Sequence, residues 1–231
     1  MEALVHPDSI NVQYKGDHMI EKRGVKIIHL NEVPYQEALD LMKELQKQRI
    51  DDQIPDTLLI LSHPEIVTVG PRATNDGIKA PEGYPTHPVD RGGGLTWHGP
   101  GQLVGYPIFK WDLEYENSVA AIISIIEQWI IDTLKSLGIE SARDDRMQGV
   151  WVGNKKICSI GLSFLRWVSR HGFSVNIDTP LGRVEGLAGC GLENDTTTSL
   201  ARLGHQITFE QFTQALLNNI QSVTNRIIEK V

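Results

Sequence analysis

Arg91-Gly92-Gly93-Gly94-Leu95-Thr96-Trp97-His98-Gly99-Pro100-Gly101-Gln102 is the stretch on which the reading of this chain turns. It holds five of the 21 glycines, so its backbone either turns sharply or lets another molecule come close. So few side chains add little to a core. The apolar run that follows, Leu103 to Phe109, reads as a buried strand. Together they predict a glycine loop lining a pocket, with Arg91 and His98 at its two ends. Glycine loops serve phosphates, acyl groups and plain turns alike, so the choice among these depends on the rest of the chain.

At 231 residues the chain can bury a proper core. Its 40% hydrophobic and 22% charged residues place it among ordinary globular proteins. A net charge of −7 argues against general nucleic-acid binding, and an acidic protein partner would have to dock on a local basic patch. Arg166 and Arg170 are either that patch or two solvated loop arginines. Two cysteines, Cys158 and Cys190, do not make a disulfide framework, which points to a reducing compartment with both thiols free. The N-terminal residues include Glu2, Asp8, Asp17 and Glu21 without an apolar core, unlike a secretory signal or a typical transit peptide. The most apolar stretch, Val119 to Leu137, is interrupted by Glu127, Gln128, Asp132 and Lys135 and does not read as a membrane span.

Residues 1–22 show no clean periodicity and read as an arm or a partly disordered segment. A strand is expected over Gly24–Leu30, then a helix opened by Pro34 and running to about Arg49 with Ala38, Leu41, Met42 and Leu45 on one face. Thr57–Leu61 and Ile66–Val69 read as strands, and Gly70–Pro88 as a long loop. Asn117 or Ser118 caps a core helix that Gly138 stops. Gly149–Val152 and Lys156–Phe164 look like a hairpin around Gly153-Asn154, followed by a strand over Gly172–Ile177. Gly182–Thr198 is glycine-rich and irregular. Thr208 and Gln211 form a capping box for a last helix, Phe209 to Glu229, with Phe212, Leu216, Ile220, Val223 and Ile227 on its apolar face. Helices and strands alternate irregularly, which predicts an α+β, mixed α/β class.

Cys190 is flanked by Gly189 and Gly191 and followed by Thr196-Thr197-Thr198-Ser199. Glycines on both sides let a reactant reach the sulfur and leave amides free for an oxyanion; the alternative is a small hydrophobe buried in a turn. Cys158, in mid-strand, reads as packing. A thiol nucleophile needs a nearby cation or base. Lys156 begins an apolar strand, where partial desolvation would suit its amine to proton transfer; alternatively it pairs with Lys155 as a solvated guard of a sheet edge. His98 and His171 are further candidates for a base. No pair among Cys158, Cys190, His98 and His171 has zinc-ligand spacing, so no metal is expected.

Four ordered segments carry a resemblance. Arg91-Gly92-Gly93 with Thr96 to Gln102 resembles the RGG-x-x-T-[YF]-HGPGQ segment of lipoyl(octanoyl) transferases, the lipoate–protein ligase B type. Gly149-Val150-Trp151 leading into Lys156 to Gly161 is similar to that family's GVW…KI-x-x-IG. His171 to Asn176 resembles HG-[LF]-[AS]-[LV]-N, and Cys190-Gly191-Leu192 with Thr198-Ser199-Leu200 resembles PCG-[IL]…TSL. Gly189 stands where a proline is usual and Trp97 where Tyr or Phe is, which keeps an aromatic wall.

The resemblance implies an enzyme with the biotin/lipoate protein ligase fold, a mixed sheet packed with helices, over residues 23–231. It implies octanoyl transfer from octanoyl-acyl carrier protein to a lysine of a lipoyl domain, in 2-oxoacid dehydrogenases or the glycine cleavage H protein. Cys190 aligns with the thioester-forming cysteine and Lys156 with the lysine that lowers its pKa. Arg91, Gly92, Gly93, Gly94, Leu95, Thr96, Trp97, His98, Ser159, Ile160, Gly161, Gly172, Phe173 and Ser174 align with substrate-binding segments. No cofactor, nucleic acid or membrane is implied, and the setting is the cytoplasm, or the mitochondrion in a eukaryote. Two other readings stay open on the same scaffold: an ATP-dependent lipoate or biotin ligase, and a catalytically silent binding module.

Overall fold

In the computed structural model the described residues are 13–15, 18–20, 22–186 and 196–229. Cys190, Gly189 and Gly191 lie outside them. In chain order the strands are β1 (Gln13–Lys15), β2 (His18–Ile20), β3 (Arg23–Glu32), β4 (Asp56–Ser62), β5 (Ile66–Val69), β6 (Thr86–Pro88), β7 (Leu95–His98), β8 (Gln102–Ile108), β9 (Val150–Val152), β10 (Lys155–Leu165), β11 (Val168–Asn176) and β12 (Arg226–Ile228). The helices are α1 (Tyr35–Ile50), α2 (Pro71–Asn75), α3 (Val119–Ser136) and α4 (Phe209–Thr224).

Strand β4 shows why a central sheet forms. Its apolar run buries alternate residues on opposite faces: Leu58 and Ile60 pack with α3 and α4, and Leu59 and Leu61 pack with α1. Around it runs a seven-stranded mixed sheet in the order β12-β3-β4-β8-β11-β10-β9. β12, β3 and β4 are parallel, and the other neighbours are antiparallel. Ile122, Ile126, Ile130 and Leu134 of α3 meet Phe212, Leu216 and Ile220 of α4 in one core. Ala38, Leu39 and Met42 of α1 cover the other face. Ser118 caps α3 by accepting from the Ala121 amide at 3.1 Å, and both bonds of the Thr208–Gln211 capping box are formed.

Three expectations are corrected. The last helix stops at Thr224 because Asn225 takes a left-handed conformation (φ 53°); the chain then runs beside Arg23–Val25 as β12, so Ile227 belongs to a strand. The Gly70–Pro88 loop contains α2 and β6. Leu95–His98, within the expected glycine loop, is extended and pairs with β5, giving a second, three-stranded sheet in the order β6-β5-β7. Residues 91–94 link the two sheets: the Gly92 amide donates to Leu162 O of β10 at 3.0 Å, while Gly94 O accepts the Gly70 amide at 3.0 Å.

Candidate active site

The two sheets leave a cavity of about 620 Å³ between them, within the usual size range of ligand sites. Gly92, Gly93, Gly94, Leu95 and Trp97 form one side, and Lys156 and Leu162 of β10 the other. Val119 and Ile123 of α3, the loop residues Asp145–Gln148, Val184 and Thr197 complete the wall. Adjoining it is a second cavity of about 30 Å³, large enough for a water. Arg91, Thr96, Ser159, Ile160, Gly161 and Ser174 line both, while His98, Gly172 and Phe173 line only the small one. Every described residue of the expected site therefore borders one or other cavity.

Lys156 is not a solvated edge lysine. It is 5% exposed, β9 lies outside its strand, and it faces the large cavity. A register shift in the β9–β10 pairing falls between Lys156 and Cys158. This bulge re-aims the strand, so that Ile157 and Cys158 both enter the α3–α4 core. Burial pushes the Cys158 thiol up to about 12; the nearby Lys156 charge opposes the shift and Glu127 adds to it. Cys158 is therefore a packed, protonated thiol, as its mid-strand position predicts.

The glycine segment is held by its own side chains. Arg91 donates to Thr68 Oγ1 at 2.7 Å and to Gly94 O at 3.0 Å, so its guanidinium shapes the segment from within. Trp97, 2% exposed, donates through Nε1 to Glu65 at 3.0 Å and packs with Val67, Ala73, Leu95 and Val184. The turn at Gly99–Gly101 serves as a brace. Gly101 (φ 77°) lies where a Cβ would be 1.9 Å from Asp178 O, and its own carbonyl accepts the Ile177 and Asp178 amides. The Gln102 amide donates to Gly99 O, and Gly99, Pro100 and Gly101 line neither cavity, whereas Gln102 lines the large one.

A line of hydrogen bonds joins the quoted motifs. Gln102 Nε2 donates to Trp97 O at 3.0 Å and Asn176 Oδ1 at 2.8 Å; Asn176 Nδ2 donates to Thr198 O at 3.0 Å; and Thr198 Oγ1 donates to Glu185 Oε1 at 3.1 Å. With its amide nitrogen donating twice, Gln102 offers its oxygen to His98 Nδ1 at 2.8 Å, which fixes the His98 tautomer. The Thr198 and Glu185 ends of this line flank residues 187–195, and thus Cys190, on either side.

Three residues of the small cavity's surroundings went unread in the sequence: Tyr35, His63 and Tyr106. Tyr106 Oη is 2.7 Å from His63 Nε2, and Tyr35 Oη is 3.3 Å from His171 Nδ1. Burial lowers the His63 pKa to about 4, lowers those of His98 and His171, and raises that of Tyr35 to about 12. At neutral pH these rings are uncharged. Burial alone would raise the Asp90 carboxyl, but the His171 hydrogen bond and the Arg170 charge outweigh it and keep Asp90 ionised. Arg170 is paired with Asp90, and Arg166 sits at the β10–β11 turn. His63 was signalled only by the dipeptide His63-Pro64. Among the described residues, no group of three or more His, Cys, Asp and Glu side chains is placed to hold a metal.

A family model described as the lipoyl protein ligase A/B catalytic domain matches residues 34–221. The chain belongs to this family. Among lipoyl protein ligase relatives, the octanoyltransferase of Caldicellulosiruptor bescii is 37% identical over 215 residues, covering 89% of this chain and 92% of the relative. That of Solibacter usitatus is 39% identical over 196 residues, covering 82% of this chain and 88% of the relative. In fold, lipoate-protein ligase A solved with ATP superposes with a TM-score of 0.68 at 12% identity, over 90% of this chain and 88% of that one. The bipartite lipoate protein ligase of Thermoplasma acidophilum gives 0.64 at 12% identity, over 91% and 86%. The α+β architecture is thus that of the lipoate protein ligases.

Proposed function

We propose that this enzyme transfers an octanoyl group from the thioester of an acyl carrier protein to the lysine of a lipoyl domain, through a thioester on Cys190. The octanoyltransferase relatives support the acyl group and the reaction class. The observation that carries the residue assignment is the position of Lys156. It is buried in the cavity wall, and its backbone is bonded to Thr196 and Thr198, just beyond the stretch that holds Cys190.

In the first half-reaction the Lys156 amine takes the Cys190 proton, or as ammonium stabilises the thiolate. The sulfur attacks the donor carbonyl, a new carbon–sulfur bond forms as the old one breaks, and the carrier thiol leaves with a proton. One thioester replaces another, so no ATP is consumed. In the second half the acceptor ammonium gives up a proton, with Lys156 as base, and the free amine attacks acyl-Cys190. The carbon–sulfur bond breaks, the attacking nitrogen passes its remaining extra proton to the departing sulfur, an amide forms and Cys190 is released as a thiol. The acyl chain lies along the Trp97 and Leu95 wall. The acceptors are the lipoyl domains of 2-oxoacid dehydrogenases or the glycine cleavage H protein, and a reduced thiol sets the reaction in the cytoplasm.

Incubation with octanoyl-carrier protein in the absence of ATP, followed by intact-mass analysis, tests this. One octanoyl adduct is expected on the wild type and on Cys158→Ala, and none on Cys190→Ala. Equal loss in both variants, or transfer only when ATP is added, would overturn the assignment.

A further inference from the structure

The loop between α3 and β9 forms one wall of the large cavity through Asp145, Arg146, Met147 and Gln148. Two residues that bracket this cavity-lining stretch, Arg143 and Gly149, return to a single carboxylate, Glu127 on α3. Oε2 accepts from Arg143 Nε at 2.9 Å and Oε1 accepts from the Gly149 amide at 2.9 Å. Arg143 also reaches Ser124 O at 2.8 Å and Gln128 Oε1 at 3.2 Å, so it lies along the helix. Glu127 is 5% exposed and occupies the same helical stripe as the core residues Ile130 and Leu134. A carboxylate there is costly unless its oxygens are engaged, and here both are.

What Glu127 holds in place is the backbone beside Lys156. Gly149 has φ 132°, a conformation that excludes other residues. A Cβ at that position would lie 2.7 Å from Lys156 Cε and 2.2 Å from Cys158 O. The lysine stem therefore runs over the bare Gly149 backbone, opposite the bulge that re-aims β10. A shift of the Gly149 peptide would move the surface on which Lys156 rests.

We propose that Glu127 is a positioning residue for Lys156: by fixing the Gly149 amide and, through Arg143, the other side of the cavity-lining stretch, it sets where the lysine amine stands in the cavity. The catalytic consequence rests on the function proposed above. Misplacing a reacting group by about 1 Å costs on the order of a hundredfold in rate, and a partial loss of the anchor costs less.

The test is a double-mutant cycle on single-turnover acylation by octanoyl-carrier protein, read by intact mass. Glu127→Gln should slow acylation about tenfold with half-saturating donor concentration unchanged, because the anchor is weakened and not removed. In a Lys156→Ala background the same substitution should have no further effect. Wild-type rates for Glu127→Gln, or equal slowing in both backgrounds, would overturn the proposal, since a purely structural carboxylate would act additively. Should Glu127→Gln fail to fold, Arg143→Gln goes through the same cycle with the same two outcomes. A substrate-free arm, competitive acetylation of lysines with mass-spectrometric readout, follows Lys156 directly. Its labelling should rise in Glu127→Gln while that of the other lysines stays level, and an unchanged Lys156 overturns the proposal. If the wild type accepts no octanoyl group, the proposed function fails, and the labelling arm still decides the role of Glu127.

Discussion

The Thr198 amide donates to the carbonyl of Lys156 at 2.9 Å, and the Lys156 amide donates to Thr196 O at the same distance. This two-bond link ties the segment after Cys190 to the strand that carries the lysine. The Thr198 hydroxyl extends it to Glu185 on the other flank. Thr198→Ala keeps the backbone link and loses the bond to Glu185. It should cost about 1 kcal/mol of stability, the worth of one hydrogen bond, and about tenfold in octanoyl transfer if the two flanks must be held together. Urea unfolding and transfer rates on the same preparation check both. Full activity at reduced stability would show that the hydroxyl serves the fold alone.

Cys158, with its pKa pushed up to about 12 by burial, should resist alkylation. Iodoacetamide at pH 8 should leave Cys158 unlabelled in the folded protein and label both cysteines after denaturation. Peptide mapping distinguishes the two sites, and labelling of Cys158 in the folded protein would contradict its burial.

The buried histidines should make the fold sensitive to mild acid. His63 has a folded pKa of about 4 against an ordinary value of 6.5. Between those values the unfolded chain binds the extra proton, so stability is complete above pH 6.5 and falls as the pH drops towards 4. His63 alone accounts for about 3 kcal/mol of that loss, and His98 and His171 shift in the same direction. Urea midpoints at pH 7 and pH 5 measure it. His63→Gln should flatten the dependence, and an unchanged slope would contradict a neutral, buried His63.

Arg226 is fully buried between Asp56 and Glu116 and lies over the Phe109 and Trp111 rings at 4.7 and 4.5 Å. Arg226→Ala leaves Glu116 in the interior without its cation, and Asp56 with Arg49 alone, and should cost about 3–5 kcal/mol. Equilibrium unfolding in urea is the measurement. A loss below 1 kcal/mol would mean that water reaches the cluster.

Much of the fold could be read from local patterns. The stripe Ile122, Ile126, Ile130, Leu134 and the Thr208–Gln211 box specify α3 and α4 within a few turns of chain, and β4 declares itself by a run too apolar for one face. What escaped reading depends on distant partners. Leu95–His98 is a strand because Ile66–Val69, almost thirty residues earlier, offers it an edge; β12 exists because Arg23–Val25 does. The site divides the same way. Lys156 and the glycine segment stand out by composition, whereas Tyr35, His63 and Tyr106 come together only in three dimensions. Glu127 did leave a trace, a charge set in a helical stripe of isoleucine and leucine. In the sequence it served only to argue against a membrane span, because its partners Arg143 and Gly149 lie 16 and 22 residues on.

The pairing of β12 with β3 also bears on how the molecule is made. Glu116 precedes the guanidinium that neutralises it by 110 residues, whereas Asp56 also has Arg49, seven residues before it. A ribosome therefore exposes Glu116 long before Arg226 emerges, and the sheet edge beside Arg23 stays open until the same moment. Nascent chains that stall short of Arg226 keep Glu116 without its cation and β3 without its outer neighbour, which favours their proteolysis.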